Sequence, residues 1–233
     1  MTLETIPYTS EYFSSWFFDT DYKTIATTIV DIFQPKTVAE FGCGPGHLSK
    51  ELAKLGVKVT AVDGYSQPDF SGFSVEFHTL DLNDPDAIAN FFTNKSFDLS
   101  LSLEVAEHLN PETSPILVHW LTKVAPVVVF SASVPAQESD GHINLRPREY
   151  WHDLFTEHNF LVGDRIREKL RPHPGVAHWY RYSALDYVHE KHPLAPKTDE
   201  LIRRLIASES AATTAFYEQS SKLYLLEQEG KIN

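Results

Sequence analysis

The sequence is poor in cysteine, in positive charge and in long apolar runs, and each shortage removes a class of protein. Cys43 is the only cysteine among 233 residues, which excludes an intramolecular disulfide and a cysteine-rich zinc site. Lysine and arginine number 20 against 32 acids, a formal net charge of −12. Neutralising duplex phosphates needs clustered bases, so duplex nucleic acid is not an expected partner. No apolar run reaches the roughly 18 residues of a membrane span. Met1-Thr2-Leu3-Glu4 has neither a basic segment nor an apolar core, so no secretory signal is expected. Repeats and low-complexity tracts are absent as well. The expectation is a soluble, cytoplasmic protein, monomer or homodimer. Its 42% hydrophobic and 12% aromatic composition suits one α/β domain with a full core.

What is present centres on residues 37–49. Thr37-Val38-Ala39-Glu40-Phe41 is a β-branched and apolar run that stops near an acid. Gly42, Gly44 and Gly46 follow at alternate positions, and Leu48, Leu52 and Leu55 start a helical period at once. This reads as strand, tight turn and helix. Glycines let the backbone approach a ligand closely, and the helix start offers unpaired N–H groups to it. A dinucleotide fingerprint requires glycine where His47 stands, so that class fits poorly. A glycine turn without a ligand is the bland alternative.

Glu40-x-Gly42-x-Gly44-x-Gly46 resembles the first motif of class I S-adenosylmethionine-dependent methyltransferases. That resemblance implies a doubly wound, mostly parallel seven-stranded sheet of Rossmann-like type, with S-adenosylmethionine as cofactor. The expected organisation is one domain over residues 1–233. It has an N-terminal helical cover (1–35), a Rossmann-like core (36–190) and a C-terminal helix (197–230).

Alternation of strand and helix supports this architecture. A helix at 24–33 precedes the first strand. Strands follow at 57–62, 74–78, 97–103 and 127–131, with a helix opened by Asp84 and Pro85 between the third and fourth. Ligands bind at the carboxyl ends of such strands, where Glu40, Asp63, Asp81 and Glu104 all fall. Asp63 is placed to accept hydrogen bonds from both ribose hydroxyls. Asp81 resembles the family's acid beside the adenine, with Leu82 supplying a backbone N–H. The expected cofactor set is Glu40, Gly42, Cys43, Gly44, Gly46, Asp63, Gly64, Asp81, Leu82, Leu103 and Glu104.

Leu103-Glu104-Val105-Ala106-Glu107-His108-Leu109 is the second informative stretch. If Glu104 opens a helical turn, Glu107 and His108 project from the same face. Two carboxylates and one imidazole form an incomplete site for Mg²⁺, Mn²⁺ or a similar ion. His142, in the irregular stretch after the fifth strand, is the candidate fourth ligand. E-x-x-E-H after the fourth strand resembles the metal-binding motif of two O-methyltransferase families, one acting on small-RNA 3′ ends and one on ubiquinone-pathway rings. The metal set is therefore Glu104, Glu107, His108 and His142, and the catalytic set Glu107, His108 and His142. The alternative is that Glu107 and His108 shape a metal-free active-site wall.

Gly141-His142-Ile143-Asn144-Leu145-Arg146-Pro147 with Glu149-Tyr150-Trp151, and later Ala177-His178-Trp179-Tyr180-Arg181, resembles a bacterial methyltransferase subgroup of glycan and secondary-metabolite biosynthesis. A bulkier aromatic often stands there in place of His178. The resemblance implies O-methylation of a sugar, glycan or similar vicinal diol. The alternatives are a metal-independent enzyme for a catechol, quinone or other natural product with a histidine base, and a non-catalytic S-adenosylmethionine-binding protein. The polar groups Glu104, Glu107, His108, His142 and Asn144 exceed what a binding module needs.

Elsewhere the aromatic residues 8–18 read as an N-terminal cover, with Tyr8 or Tyr12 closing over the ligands as the functional alternative. Residues 147–158 form a helix whose Tyr150 and Trp151 either pack in the core or flank the acceptor. Arg165-Ile166-Arg167-Glu168-Lys169-Leu170-Arg171 reads as the solvated face of a late strand, or as a rim for a phosphorylated acceptor. Residues 172–178 read as a loop capping the pocket. Residues 198–229 form an amphipathic helix capped by Thr198, with Leu201, Leu205, Ile206, Ala212 and Phe216 as its apolar face and a break near Glu209.

Overall fold

The computed structural model describes residues 8–139, 141–197 and 200–228. Its helices are α1 (Ser10–Phe13), α2 (Tyr22–Phe33), α3 (His47–Lys54), α4 (Pro85–Phe92), α5 (Ser114–Val124), α6 (Arg148–Glu157), α7 (Arg165–Leu170), α8 (His178–Ser183) and α9 (Glu200–Gln228). Its strands are β1 (Thr37–Phe41), β2 (Lys58–Asp63), β3 (Val75–Thr79), β4 (Leu99–Leu103), β5 (Val127–Ser131), β6 (Phe160–Gly163) and β7 (Leu185–His189).

They form one seven-stranded sheet in the order β3-β2-β1-β4-β5-β7-β6, parallel except for β7, which runs against both its neighbours. This is the doubly wound, mostly parallel seven-stranded sheet of Rossmann-like type that the resemblance of the glycine motif implied. The strands carry near-continuous apolar runs because both faces are covered. Along β5, Val127 and Val129 pack with α2, α3 and α7, while Val128 and Phe130 pack with α4, α5 and α6. Strand order reverses between β1 and β4, so the β1 turn and the end of β4 open into one crevice.

Local signals set the helices. Asp21 caps α2 by accepting from Thr24 N, and Asp84 caps α4 by accepting from the N–H groups of Asp86 and Ala87, with Pro85 at the first position. Helix α5 and the short turn Pro111–Thr113 fill the crossover between β4 and β5, for which the sequence reading made no assignment.

Two expectations are corrected. The run from Arg165 is helix, not strand: Ile166 and Leu170, four apart, are fully buried, so the period is helical. Arg167 is 1% exposed and pairs with Asp164 and Glu209, while Arg165 pairs with buried Asp186. The arginines therefore tie elements together. Helix α9 also runs unbroken through Glu209, which holds Arg167 and Arg171 from its middle turns. Its inward face is Ile202 and Ile206, whereas Leu205 and Phe216 are exposed. Thr198, Asp199 and Glu229 lie outside the described residues, as do residues 1–7 of the N-terminal cover and Asp140.

Candidate functional site

The glycine turn leaves β1 with Gly42, Gly44 and Gly46 all at positive φ (78, 50 and 76°). A side chain is strained at such angles. Space forbids one at two of them: a Cβ on Gly42 would lie 2.6 Å from Val105 Cγ2, and one on Gly46 2.4 Å from Phe70 Cζ. A Cβ on Gly44 would instead point towards Phe18, 3.3 Å away. The alternate spacing thus folds the turn against β4's end and leaves its open side towards the crevice. Helix α3 begins directly after, at His47.

Two acids brace this turn. Asp63, the last residue of β2, accepts from Gly44 N at 2.8 Å through Oδ2, and from Tyr65 N and Ser66 N at 2.9 and 2.8 Å through Oδ1. Glu40 is buried and accepts from the Ser49 hydroxyl; burial pushes its carboxyl up to about 8. Cys43 is buried between them, and burial also raises its thiol. Asp81, two residues past the end of β3, accepts from Asn83 N at 2.8 Å, and the Asp81 main chain passes 3.2 Å from where a Gly64 Cβ would stand.

These residues border a cleft of ≈ 440 Å³, within the roughly 300–1,000 Å³ of small-molecule sites. Glu40, Gly42, Cys43, Gly44, Asp63, Gly64, Asp81, Leu82, Leu103 and Glu104 line it; Gly46 acts behind, as the hinge into α3. Its roof is aromatic. Tyr8 stacks near Tyr65 at 4.8 Å and meets Tyr12 edge-on at 5.2 Å, with Phe13 and Phe18 closing the turn side. Burial raises the Tyr8 and Tyr12 hydroxyls to about 12, so both stay protonated donors at neutral pH.

The opposite wall is the end of β4. Glu104 does not open a helix: its φ is +55° and only a 3₁₀ turn, Ala106–His108, follows. The left-handed kink swings the chain so that ligand atoms of Glu107, His108 and His142 lie within 4.8 Å of one another, a group that Glu104 does not join. Instead Glu104 and Glu107 share Ser133, whose hydroxyl stands 3.4 Å from Glu104 Oε2 and 3.1 Å from Glu107 Oε1. Burial raises both carboxyls, and the neighbouring Glu107 charge raises Glu104 further. His108 Nδ1 lies 3.1 Å from Gly141 O and His142 Nδ1 2.8 Å from Gln137 O. A carbonyl can only accept, which places the proton on each Nδ1 and the lone pair on each Nε2. Burial lowers both imidazoles below their ordinary value, so both are neutral at pH 7.

Other candidates fall elsewhere. Asn144 is structural, donating to Ala106 O at 3.0 Å and Ser114 Oγ at 2.8 Å. Trp151 and Tyr150 pack in the core and do not line the cleft. Ser133, Gln137 and Trp179 line it without having been singled out for it; Ser133 had a signal in its place just past β5, at a strand's carboxyl end. Residues 172–177 are non-helical as expected, but they do not line the cleft; His178, expected in that loop, opens α8, and it and Trp179 reach the cleft's edge.

A family model described as a methyltransferase domain matches residues 18–165. Trans-aconitate 2-methyltransferase of Mycobacterium tuberculosis (strain H37Ra) is 29% identical over 140 residues, 58% of this chain and 52% of that protein. The ubiquinone biosynthesis O-methyltransferase of Paramagnetospirillum magneticum (strain AMB-1) is 32% identical over 108 residues, 42% of this chain and 40% of that protein. The chain thus spans about half the length, or less, of these curated relatives. Among solved structures, Burkholderia thailandensis 1,6-didemethyltoxoflavin-N1-methyltransferase, with 1,6-didemethyltoxoflavin and S-adenosylhomocysteine bound, matches at 19% identity and a TM-score of 0.51. That match covers 76% of this chain and 80% of the other, and at such identity it speaks for the fold alone.

Proposed function

The chain belongs to the methyltransferase-domain family, and from that premise we propose that it methylates a hydroxyl oxygen of a small-molecule acceptor, a sugar, catechol or similar vicinal diol, at the expense of S-adenosylmethionine. One observation carries the reading: Glu107, His108 and His142 converge in the same cleft as the glycine turn. Methylating an amine asks chiefly for a lone pair, whereas a hydroxyl must lose a proton. Two neutral imidazoles with free Nε2 lone pairs meet that need.

The residues present fit the methyl donor. Gly44 offers backbone without a side chain, Asp63 a carboxylate at the β2 end, and Glu40 a buried acid suited to an amino group. S-adenosylmethionine, when bound, supplies an electrophilic methyl group on a sulfonium sulfur. The chain does the rest. Asp63 and Glu40 hold the donor's polar ends, and the Tyr8–Phe18 roof excludes water from the cleft. His108 or His142 takes the hydroxyl proton at Nε2, and Ser133 orients Glu107 beside them.

A divalent ion is the second reading, because a carboxylate oxygen of the buried Glu107 and ring nitrogens of two imidazoles lie within 4.8 Å of one another. Glu107, His108 and His142 would hold the ion, which would supply Lewis-acid acidification of the hydroxyl. With Glu104 outside the group, one carboxylate and two imidazoles favour Mn²⁺ or another imidazole-binding transition ion over Mg²⁺.

The test is turnover with S-adenosylmethionine and a panel of sugar, catechol and amine acceptors, with products located by mass and NMR. O-methyl products are expected; exclusive N- or C-methylation overturns the reading. Activity lost to EDTA and restored by Mn²⁺ assigns the ion. Activity indifferent to EDTA leaves the proton to the imidazoles alone.

A further inference from the structure

The sequence reading offered Arg165 to Arg171 as a rim for an anionic acceptor, but these arginines are paired with Asp164, Asp186 and Glu209. The structure presents a different one. Arg148, the first residue of α6, is only 5% exposed. Its Nη2 donates to Tyr182 O at 3.2 Å and to Ser183 Oγ at 3.3 Å, both neutral acceptors. Its Nε and Nη1 are buried and have no hydrogen-bond partner among the described residues.

No carboxylate among the described residues forms an ion pair with it, and the charge felt most strongly nearby is the repelling one of Arg167. Glu209 and Glu104 attract it, but from beyond contact. A guanidinium withdrawn from water without a counter-charge is among the costliest arrangements a fold can keep, and it is normally paired.

Arg148 borders a second cavity of ≈ 340 Å³ with Ser183 and Thr213 in its wall. Gln137, His178 and Trp179 line this cavity and the methyl-transfer cleft alike, so the two are neighbours across one partition. Gln137 also holds His142 through its main-chain carbonyl. A ligand reaching from one cavity to the other would therefore present one end to Arg148 and the other to the histidine pair.

We propose that the acceptor carries an anionic oxygen group, a carboxylate or a phosphate, which seats on Arg148 in this second cavity while its hydroxyl lies at Glu107, His108 and His142. The inference rests on the hydroxyl-methylation reading above and narrows its substrate class. Oxyanions suit this site because Arg148 brings a guanidinium to its wall with no acid in contact among the described residues; Nε and Nη1 lie just behind the accessible surface, and the side chain turns to present them to the anion. A neutral diol would leave the guanidinium without a counter-charge, so anionic acceptors are selected over their esters and amides.

The experiment titrates the wild-type protein, saturated with S-adenosylhomocysteine, with malonate and separately with inorganic phosphate, by calorimetry and thermal shift. Binding of one or both at millimolar concentration or tighter is expected, and the tighter anion names the group. Arg148→Met should weaken it roughly tenfold or more, Arg148→Lys less. The ligand-free Arg148→Met protein should melt no lower than wild type, since an unpaired buried charge has gone; a purely structural arginine would give a lower Tm. Thr213→Glu, which supplies a carboxylate within the cavity, should also displace the anion, and it serves if Arg148→Met does not fold. Failure of both anions to bind wild type, or unchanged affinity in the variants, overturns the proposal. S-adenosylhomocysteine affinity is measured in parallel and should not change in any variant. Its absence in wild type would instead strike the methyl-transfer reading.

Discussion

The imidazoles of His108 and His142 stand edge to face with ring centroids 4.9 Å apart, each donating from Nδ1 to a main-chain carbonyl. Two loops distant in sequence therefore present two lone pairs of the same tautomer to one point. Replacing either ring by alanine should lower kcat by about 10²–10⁴ if that ring is the base. S-adenosylhomocysteine affinity should hold. Since burial lowers both imidazoles, the acid limb of the rate profile should have its midpoint below 6.5, the ordinary histidine value. A midpoint above 6.5, or wild-type activity in both alanine variants, would remove the pair from proton transfer.

Glu40 predicts a proton linked to cofactor binding. Its carboxyl is pushed up to about 8 by burial, so in the ligand-free cleft it is mostly protonated at pH 7. A cationic amino group placed beside it favours the ionised form and lowers its pKa. The bound state then holds fewer protons than the free state, and affinity must rise with pH up to about 8 and level off above. Calorimetry of S-adenosylhomocysteine at pH 7 in buffers of different ionisation enthalpy should show a proton released. A heat independent of buffer would place Glu40 away from the amino group.

The glycines separate backbone strain from steric exclusion. Gly72 has φ +83° with nothing within 4 Å of a Cβ, so Gly72→Ala should cost only the left-handed penalty of roughly 1–2 kcal/mol. Gly46→Ala adds a collision with the Phe70 ring to the same strain. It should destabilise by clearly more, at least about 3 kcal/mol, and weaken S-adenosylhomocysteine binding. Urea unfolding of the two variants side by side measures the difference; equal losses would mean that Phe70 yields without cost.

The parts of the fold that were legible share one property: their signals are local. The glycine turn, the Asp84-Pro85 helix start and the continuous apolar run from Val127 to Phe130, buried on both faces, all follow from residues within a few positions of one another. The misread parts depend on distant partners. Arg167 looks solvated in sequence because Glu209, which neutralises it, lies on another helix. Glu104 was expected to begin a helix on spacing alone, and its positive φ comes with anchoring by residue 131: Glu104 N donates to Ser131 O at 3.2 Å. His142 could be joined to His108 because β4 and β5 are neighbours in a doubly wound sheet. Arg148 had no signal, since its lack of an ion pair among the described residues is visible only in the folded chain.

Asp63 makes the last prediction, because it has two duties that one substitution cannot separate and a pair can. Its oxygens accept three backbone N–H groups, from Gly44, Tyr65 and Ser66. Asp63→Ala leaves these donors without their acceptor and also removes the carboxylate proposed to meet the ribose hydroxyls. It should cost about 1–3 kcal/mol of stability and at least roughly tenfold in S-adenosylhomocysteine affinity. Asp63→Asn keeps one oxygen for Tyr65 and Ser66 but turns an amide donor towards Gly44 N, or the reverse. Stability should fall less than in the alanine variant, while loss of the charge still weakens the ligand. If Asp63→Asn binds S-adenosylhomocysteine as wild type does and only its melting temperature falls, Asp63 is a brace of the glycine turn and not a contact of the cofactor.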